Sequence, residues 1–189
     1  MSEWDVISLL SIIDIYGEEK AREIVSGFVC SKDRDLQDFL TERSIEFEKR
    51  WLSRSWLIFE KDSVDVIAYF SVAMKCMRLP DASLMSNRLW KRLNVDGGAD
   101  VAQSYLVAQL GRSDDSERGI GPRIINCAMA VLGTASNYIG CRTVRLDCKD
   151  DLIGFYEGNG FQLIDKNEGN NLNRMVRMLN RPESAFEIP

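Results

Sequence analysis

Two short segments carry residues whose types and spacing can do chemistry. Arg118-Gly119-Ile120-Gly121 follows an apolar run and precedes Pro122 and a helical pattern. Glycines there let the backbone turn its N–H groups toward a ligand. The free amides and positive dipole end of a helix start suit a phosphate or pyrophosphate. Arg118 and Arg123 add charge. A Gly-x-Gly ahead of a helix is also an ordinary structural turn. The segment lacks the Gly-Lys-Ser/Thr ending of a Walker A loop, and it has only two of the three glycines of a dinucleotide fingerprint. The second segment is Phe155-Tyr156-Glu157-Gly158-Asn159-Gly160-Phe161. Tyr156 carries a hydroxyl donor with a pKa of about 10, suited to act as a general acid toward a leaving thiolate of similar basicity. The alternative is an aromatic helix end packed on a sheet, with Gly160 as its left-handed terminator.

Composition narrows the chemistry further. The 189 residues contain no histidine, which excludes a Ser-His-Asp triad, a Cys-His dyad and a His-ligated metal. Five cysteines (Cys30, Cys76, Cys127, Cys141 and Cys148) form no CxxC pair. Their odd number and irregular spacing predict free thiols, no metal and a cytoplasmic setting. Met1 to Asp5 has two acids and no basic n-region, so no secretory signal is expected. No apolar run approaches the ~18 residues of a membrane span. The net charge of −5 disfavours a generally basic nucleic-acid binder and leaves room for a local basic face.

The elements that must position these segments read as follows. Trp4–Leu10 is a β-forming run, with a helix from Trp4 as the competing reading. Glu18–Gly27 is a short helix ending on glycine. Leu36–Leu52 is a longer one, with Leu36, Phe39, Leu40, Phe47 and Trp51 at helical spacing. Ser55–Glu60 and Val64–Ala73 flank the polar turn Lys61-Asp62-Ser63, a hairpin pattern. Ser104–Arg112 is a strand. A helix from Pro122 to about Ile139 carries the stripe Ile124, Ala128, Leu132, Ala135 and Ile139. Proline suits its first turn. Cys141–Cys148 is the next strand, Asp151–Glu157 a short helix, and Phe161–Ile164 with Met175–Leu179 a closing hairpin. Strand–helix–strand alternation in the second half predicts a parallel crossover in a mixed α/β chain. One domain over 1–180 and a short tail over 181–189 are expected.

Strand, Arg-Gly-x-Gly, helix, strand, Phe-Tyr helix, then Gly-Phe: this order resembles the GNAT acetyltransferase superfamily. The quoted residues lie between Leu106 and Phe161. The resemblance implies a splayed, mostly antiparallel mixed sheet of about six or seven strands flanked by helices. It implies an acetyl-CoA cleft between the fourth and fifth strands, here Ser104–Arg112 and Cys141–Cys148. The pantetheine arm would pair with the backbone around Leu110 and Arg112. The pyrophosphate would sit on the amides of Arg118, Gly119, Ile120 and Gly121. Tyr156 matches the tyrosine that protonates the departing thiolate. Ser116 stands where the family loop usually has Gln or Arg, Pro122 removes one amide from the nest, and Lys149-Asp150-Asp151 replaces an Asn often found before the Phe-Tyr helix.

The acceptor implied is a small-molecule, peptide or aminoacyl primary amine, with a homodimer allowed and no membrane partner. Asp35–Leu40, Ser53–Leu57 and Ala68–Ser71 also resemble a bacterial branch that includes toxins acetylating aminoacyl-tRNA, so tRNA stays open as a carrier despite the acidic chain. The rival class is a GNAT-shaped module that binds CoA or a protein without turnover. Ser104–Arg112 contains no acid. This mildly favours an acceptor such as an α-amine, with pKa near 7.7–8.0, over a lysine near 10.4. A base from elsewhere, such as Glu60 or Asp65, is the alternative. Two basic clusters accompany tryptophans: Arg88, Lys91 and Arg92 with Trp90 in Met85–Leu93, and Lys49, Arg50 and Arg54 around Trp51. The first suits an anionic substrate or the 3′-phosphate of CoA; either reads equally as a solvated helix face. Cys148, ending a strand, reads as a small apolar residue before it reads as a nucleophile.

Overall fold

The computed structural model describes residues 3–79, 86–93, 101–167 and 172–179. The expected tail over 181–189 lies outside them, as does Met85 of the first basic cluster. The elements, in chain order, are β1 (Trp4–Ser8), α1 (Leu9–Tyr16), α2 (Glu18–Ser26), α3 (Arg34–Asp38), a π-helical turn (Phe39–Arg43), α4 (Ser44–Lys49), β2 (Arg54–Glu60) and β3 (Val66–Arg78). Then come α5 (Asn87–Leu93), β4 (Val101–Arg112), α6 (Gly121–Ala135), β5 (Thr143–Cys148), a 3₁₀ turn (Asp150–Leu152), α7 (Ile153–Gly158), β6 (Gln162–Asn167) and β7 (Leu172–Met178). The strand order is β1-β2-β3-β4-β5-β7-β6. β4 and β5 are parallel, as the crossover required, while β1–β2, β2–β3, β5–β7 and β6–β7 are antiparallel.

The chain forms two compact units, 1–73 with 107–128, and 74–106 with 129–189. In the first unit, α1, α2 and the α3–α4 region cover one face of β1–β3. Leu9, Val25, Phe28, Leu40, Leu57 and Tyr69 are fully buried there. Tyr69 is the hub: its ring meets Phe28 edge-on at 5.2 Å and stacks on Phe39 at 6.4 Å, and its hydroxyl donates to the Leu36 carbonyl at 2.6 Å. In the second unit, Met77, Leu79, Ala102, Ile164 and Val176 form a core on which α5 seats Leu89 and Leu93.

Several sequence expectations change for local reasons. The first strand stops at Ser8, because the Ser8 hydroxyl accepts from the Ser11 amide at 3.1 Å and caps α1, a contact worth about 1 kcal/mol. The competing helix from Trp4 does not form, since Trp4–Ser8 pairs with Trp56–Glu60. The helix expected over Leu36–Leu52 is interrupted by the π turn and ends at Lys49. Trp51, expected in its buried stripe, instead adopts a φ of 60° and is 82% exposed. α6 likewise ends at Ala135, leaving Ile139 exposed. Leu89 and Leu93 bury one face of α5 at the basic segment around Trp90.

Candidate active site

In the first unit, β3 flanks β4 on one side, and β4 pairs with β5 at Tyr105 and Leu106, ahead of this unit's part of the strand. Val107–Arg112, including Leu110 and Arg112, therefore forms the outer edge of this unit's sheet. Gly111 is required by packing: a Cβ there would sit 2.9 Å from the Tyr69 ring. Past Arg112 the chain is tied down residue by residue. The Ser113 amide donates to Ile67 O at 2.8 Å and the Asp114 amide to Val29 O at 2.9 Å. Asp114 accepts from the Ser31 amide at 3.0 Å, and the hydrogen bonding from Ser31 holds its carboxyl below the usual range. Ser116 is buried, donating to Ser113 O at 2.6 Å and facing the Arg112 guanidinium at 3.3 Å. A side chain that the family pattern would place as Gln or Arg thus closes its own loop.

The four candidate amides follow. Gly119 has a φ of +84° with open space around it, so the loop turns in a conformation that side-chain-bearing residues rarely adopt. Ile120 is buried, and its carbonyl accepts from Arg123 at 3.0 Å and Ile124 at 3.1 Å, closing the first turn of α6. Among the described residues, nothing accepts from the N–H groups of Arg118, Gly119 or Gly121, while the turn at 118–119 directs the Ile120 N–H at the Glu117 carbonyl. Arg118 is exposed and makes no ion pair among them, whereas Arg123 lies over the Trp4 ring, 3.5 Å from its centroid. The predicted pair of loop cations therefore divides: Arg118 accompanies the amides, and Arg123 packs against β1. Three amides, one guanidinium and the start of a 15-residue helix share this loop, an arrangement whose chemistry suits an anion.

In the second unit, Tyr156 sits on α7, 8% exposed, edge-on to Phe155 at 5.0 Å and to Phe161 at 5.8 Å. The helix end is fixed by Asn159 and Phe161 amides donating to Tyr156 O, each at 3.0 Å, and by Gly160 at a φ of +81°. The ring is core, as the packing reading has it, and no described residue hydrogen-bonds the hydroxyl. Burial, with a smaller contribution from Cys148, pushes its pKa up to about 12. The expected near-balance with a leaving thiolate is therefore lost: transfer to a thiolate of pKa about 8.5 is uphill in the unliganded protein. The phenol remains a hydrogen-bond donor throughout the neutral range. Cys148 is buried with Sγ 3.5 Å from Met175 Sδ, and burial above all pushes its thiol up to about 11, the opposite of an activated nucleophile.

The other charged candidates are placed differently. Glu60 and Asp65 are exposed at the β2–β3 turn. Of the cluster around Trp51, Lys49 pairs with Glu18 at 2.9 Å, and Arg54 pairs with Glu48 at 2.8 Å while lying over the Trp51 ring. That cluster is largely neutralised. Sequence reading missed Glu48, a carboxylate with no exposed side-chain surface that also accepts from the Ser55 amide. Its signal was faint: one acid among many on a helix.

No protein-family model and no curated protein matches the sequence. Solved structures do. A tyrosine-to-phenylalanine variant of KacT superposes with a TM-score of 0.69 at 18% identity, covering 92% of this chain and 95% of that one. AtaT complexed with acetyl-methionyl-tRNAfMet gives 0.69 at 16%, covering 91% and 94%. AtaTR bound with AcCoA gives 0.65 at 16%, covering 95% of each. At these identities the likeness establishes the fold, a GNAT-type mixed sheet with its parallel β4–β5 pair.

Proposed function

We propose that this protein is an acetyl-CoA-dependent N-acetyltransferase acting on a primary amine by direct attack. The observation that carries the reading is the set of amides of Arg118, Gly119 and Gly121 that meet no acceptor among the described residues at the start of α6, on a fold whose solved neighbours include AtaTR bound with AcCoA. The loop amides and Arg118 hold the pyrophosphate, and the open backbone edge around Leu110 and Arg112 takes the pantetheine arm. The amine nitrogen bonds to the acetyl carbon, the carbon–sulfur bond breaks, and the amine gives its proton to solvent. Tyr156 donates a hydrogen bond to the developing thiolate, which lowers the barrier without requiring complete transfer. Positioning both reactants supplies much of the remaining acceleration. The five cysteines are free thiols, consistent with work in a bacterial cytoplasm.

The acceptor class we favour is an α-amine carried by tRNA. Two observations support it: the acid-free β4, which suits an amine that loses its proton easily, and the neighbour holding acetyl-methionyl-tRNAfMet. Incubation with acetyl-CoA and a panel of amines, peptides and aminoacyl-tRNAs should release CoA and raise the acceptor's mass by one acetyl group in place of one hydrogen. Tight acetyl-CoA binding with no release on any acceptor would instead make the protein a CoA-binding module.

The loop has its own test. Gly119→Val places a branched side chain at a φ of +84°, a strain of roughly 1–3 kcal/mol that the loop relieves by turning its amides away. Acetyl-CoA should then bind about tenfold more weakly or worse, as measured by calorimetry, with the melting temperature little changed. Unaltered affinity in a folded variant would remove the loop from the site.

A further inference from the structure

A second cationic site lies wholly within the second unit. Arg92 of α5 and Gln162 of β6 are shared by the two lobes of a cleft: one, of about 220 Å³, adds Arg177 of β7, and the other, of about 230 Å³, adds Arg88, one helical turn from Arg92. Among the described residues, no carboxylate lines it and none of the three arginines forms an ion pair. Like charges gathered without a counter-ion repel one another, so an anion that joins them recovers that cost. The cleft is built, not incidental. Leu89 and Leu93 are buried, which fixes the face of α5 that carries Arg88 and Arg92. The Arg142 guanidinium donates to the Arg92 carbonyl, tying the end of α5 to the start of β5. Arg177 donates to Asn159 O at 2.9 Å and lies against Gly160, where a Cβ would come 3.5 Å from its Nε.

Its place in the fold separates it from the thiol end of the sheet. Met178 pairs with Thr143 and Asn173 with Cys148, so the cleft lies at the Thr143 end of β5. Cys148 is five residues on, about 17 Å at ~3.3 Å per residue. We propose that this cleft is a phosphate site, formed by none of the residues of the Arg118–Gly121 loop, in which Arg88, Arg92 and Arg177 hold the oxygens of a phosphate ester and Gln162 adds a neutral contact. Guanidinium groups suit this task because their planar fork matches two phosphate oxygens at once. The ester can belong to a small nucleotide or to an RNA strand; the chemistry at the cleft is the same.

The test needs no acetyl-CoA, so its outcome is independent of the acetyltransferase reading. Fluorescence of Trp90, on α5 itself, would be followed during titration with inorganic phosphate, a ribonucleoside 5′-monophosphate and a short single-stranded RNA. Arg88→Gln and Arg92→Gln should each weaken binding roughly tenfold, as expected for loss of one charge-assisted contact. Arg50→Gln, at an exposed position on the first unit, should not. Binding of phosphate and mononucleotide identifies a small ester. Binding of RNA alone, with a salt slope reduced by about 2 in the double variant, identifies a strand. No response to any of the three probes, or equal affinities in wild type and the double variant, would overturn the proposal.

Discussion

Tyr156→Phe should lower kcat by about 10²–10⁴-fold and leave acetyl-CoA affinity nearly unchanged. Phenylalanine keeps the ring between Phe155 and Phe161, at 5.0 and 5.8 Å, and removes only the hydroxyl. Because no described residue bonds that hydroxyl, its removal strands no buried partner and costs the fold little. A residue that merely packs would give a silent variant. Steady-state rates on a true acceptor, alongside calorimetric affinities, separate the two cases. The pH profile adds a sign. Burial raises the phenol to about 12, so its proton is in place below that pH and is lost only as pH rises through it. Any fall in rate between pH 8 and 10 must therefore come from another group, and it should persist unchanged in Tyr156→Phe. A limb that disappears with the hydroxyl would show that Tyr156 titrates in that range and that the burial argument fails.

Arg54→Ala should destabilise the fold by about 3 kcal/mol at pH 8, the lower part of the range for stranding a buried charge, because Arg54 is itself 29% exposed. Glu48 has no exposed side-chain surface. It is held by the Arg54 guanidinium at 2.8 Å and the Ser55 amide, in a region where the hydroxyls of Ser53, Ser55 and Ser71 meet no partner among the described residues. Burial already raises its pKa, against the lowering effects of Ser55 and Arg54. A raised carboxyl contributes stability that is present below its unfolded pKa and lost as pH rises through its folded value. Removing Arg54 moves that value further up. The deficit should accordingly be smaller at pH 5 than at pH 8, measured by urea unfolding. Replacing Glu48 by Leu in the same chain should recover most of it. An equal deficit at both pH values would show that Arg54 acts through packing on Trp51 and not through Glu48.

How much of this was legible beforehand depended on the range of the interaction. Gly119 and Gly160 could be read as turn residues because a positive φ is a local demand, and both adopt one. The parallel β4–β5 pair followed from alternation of strand and helix. Trp51 and Ile139 misled because periodicity reports which face a residue would take if the helix continued. Whether it continues was decided by Ser53–Ser55 and by the turn after Ala135. Gly111 carried no signal at all: its need for no side chain arises from Tyr69, 42 positions away in sequence order (111 − 69).

By itself, the sequence determined most of the strands and helices, the parallel crossover and the glycines at positive φ, all consequences of backbone conformation and short spacing. It also excluded histidine chemistry outright. Only tertiary structure decided which charges stay available. Lys49 and Arg54 looked as cationic as Arg88 and Arg92, but Glu18 and Glu48 meet the first pair while, among the described residues, no carboxylate lines the cleft of the second. The pKa of Tyr156 was settled the same way, by the apolar groups packed around it. Charge neutralisation and desolvation depend on neighbours brought together from distant parts of the chain, and local spacing does not encode them.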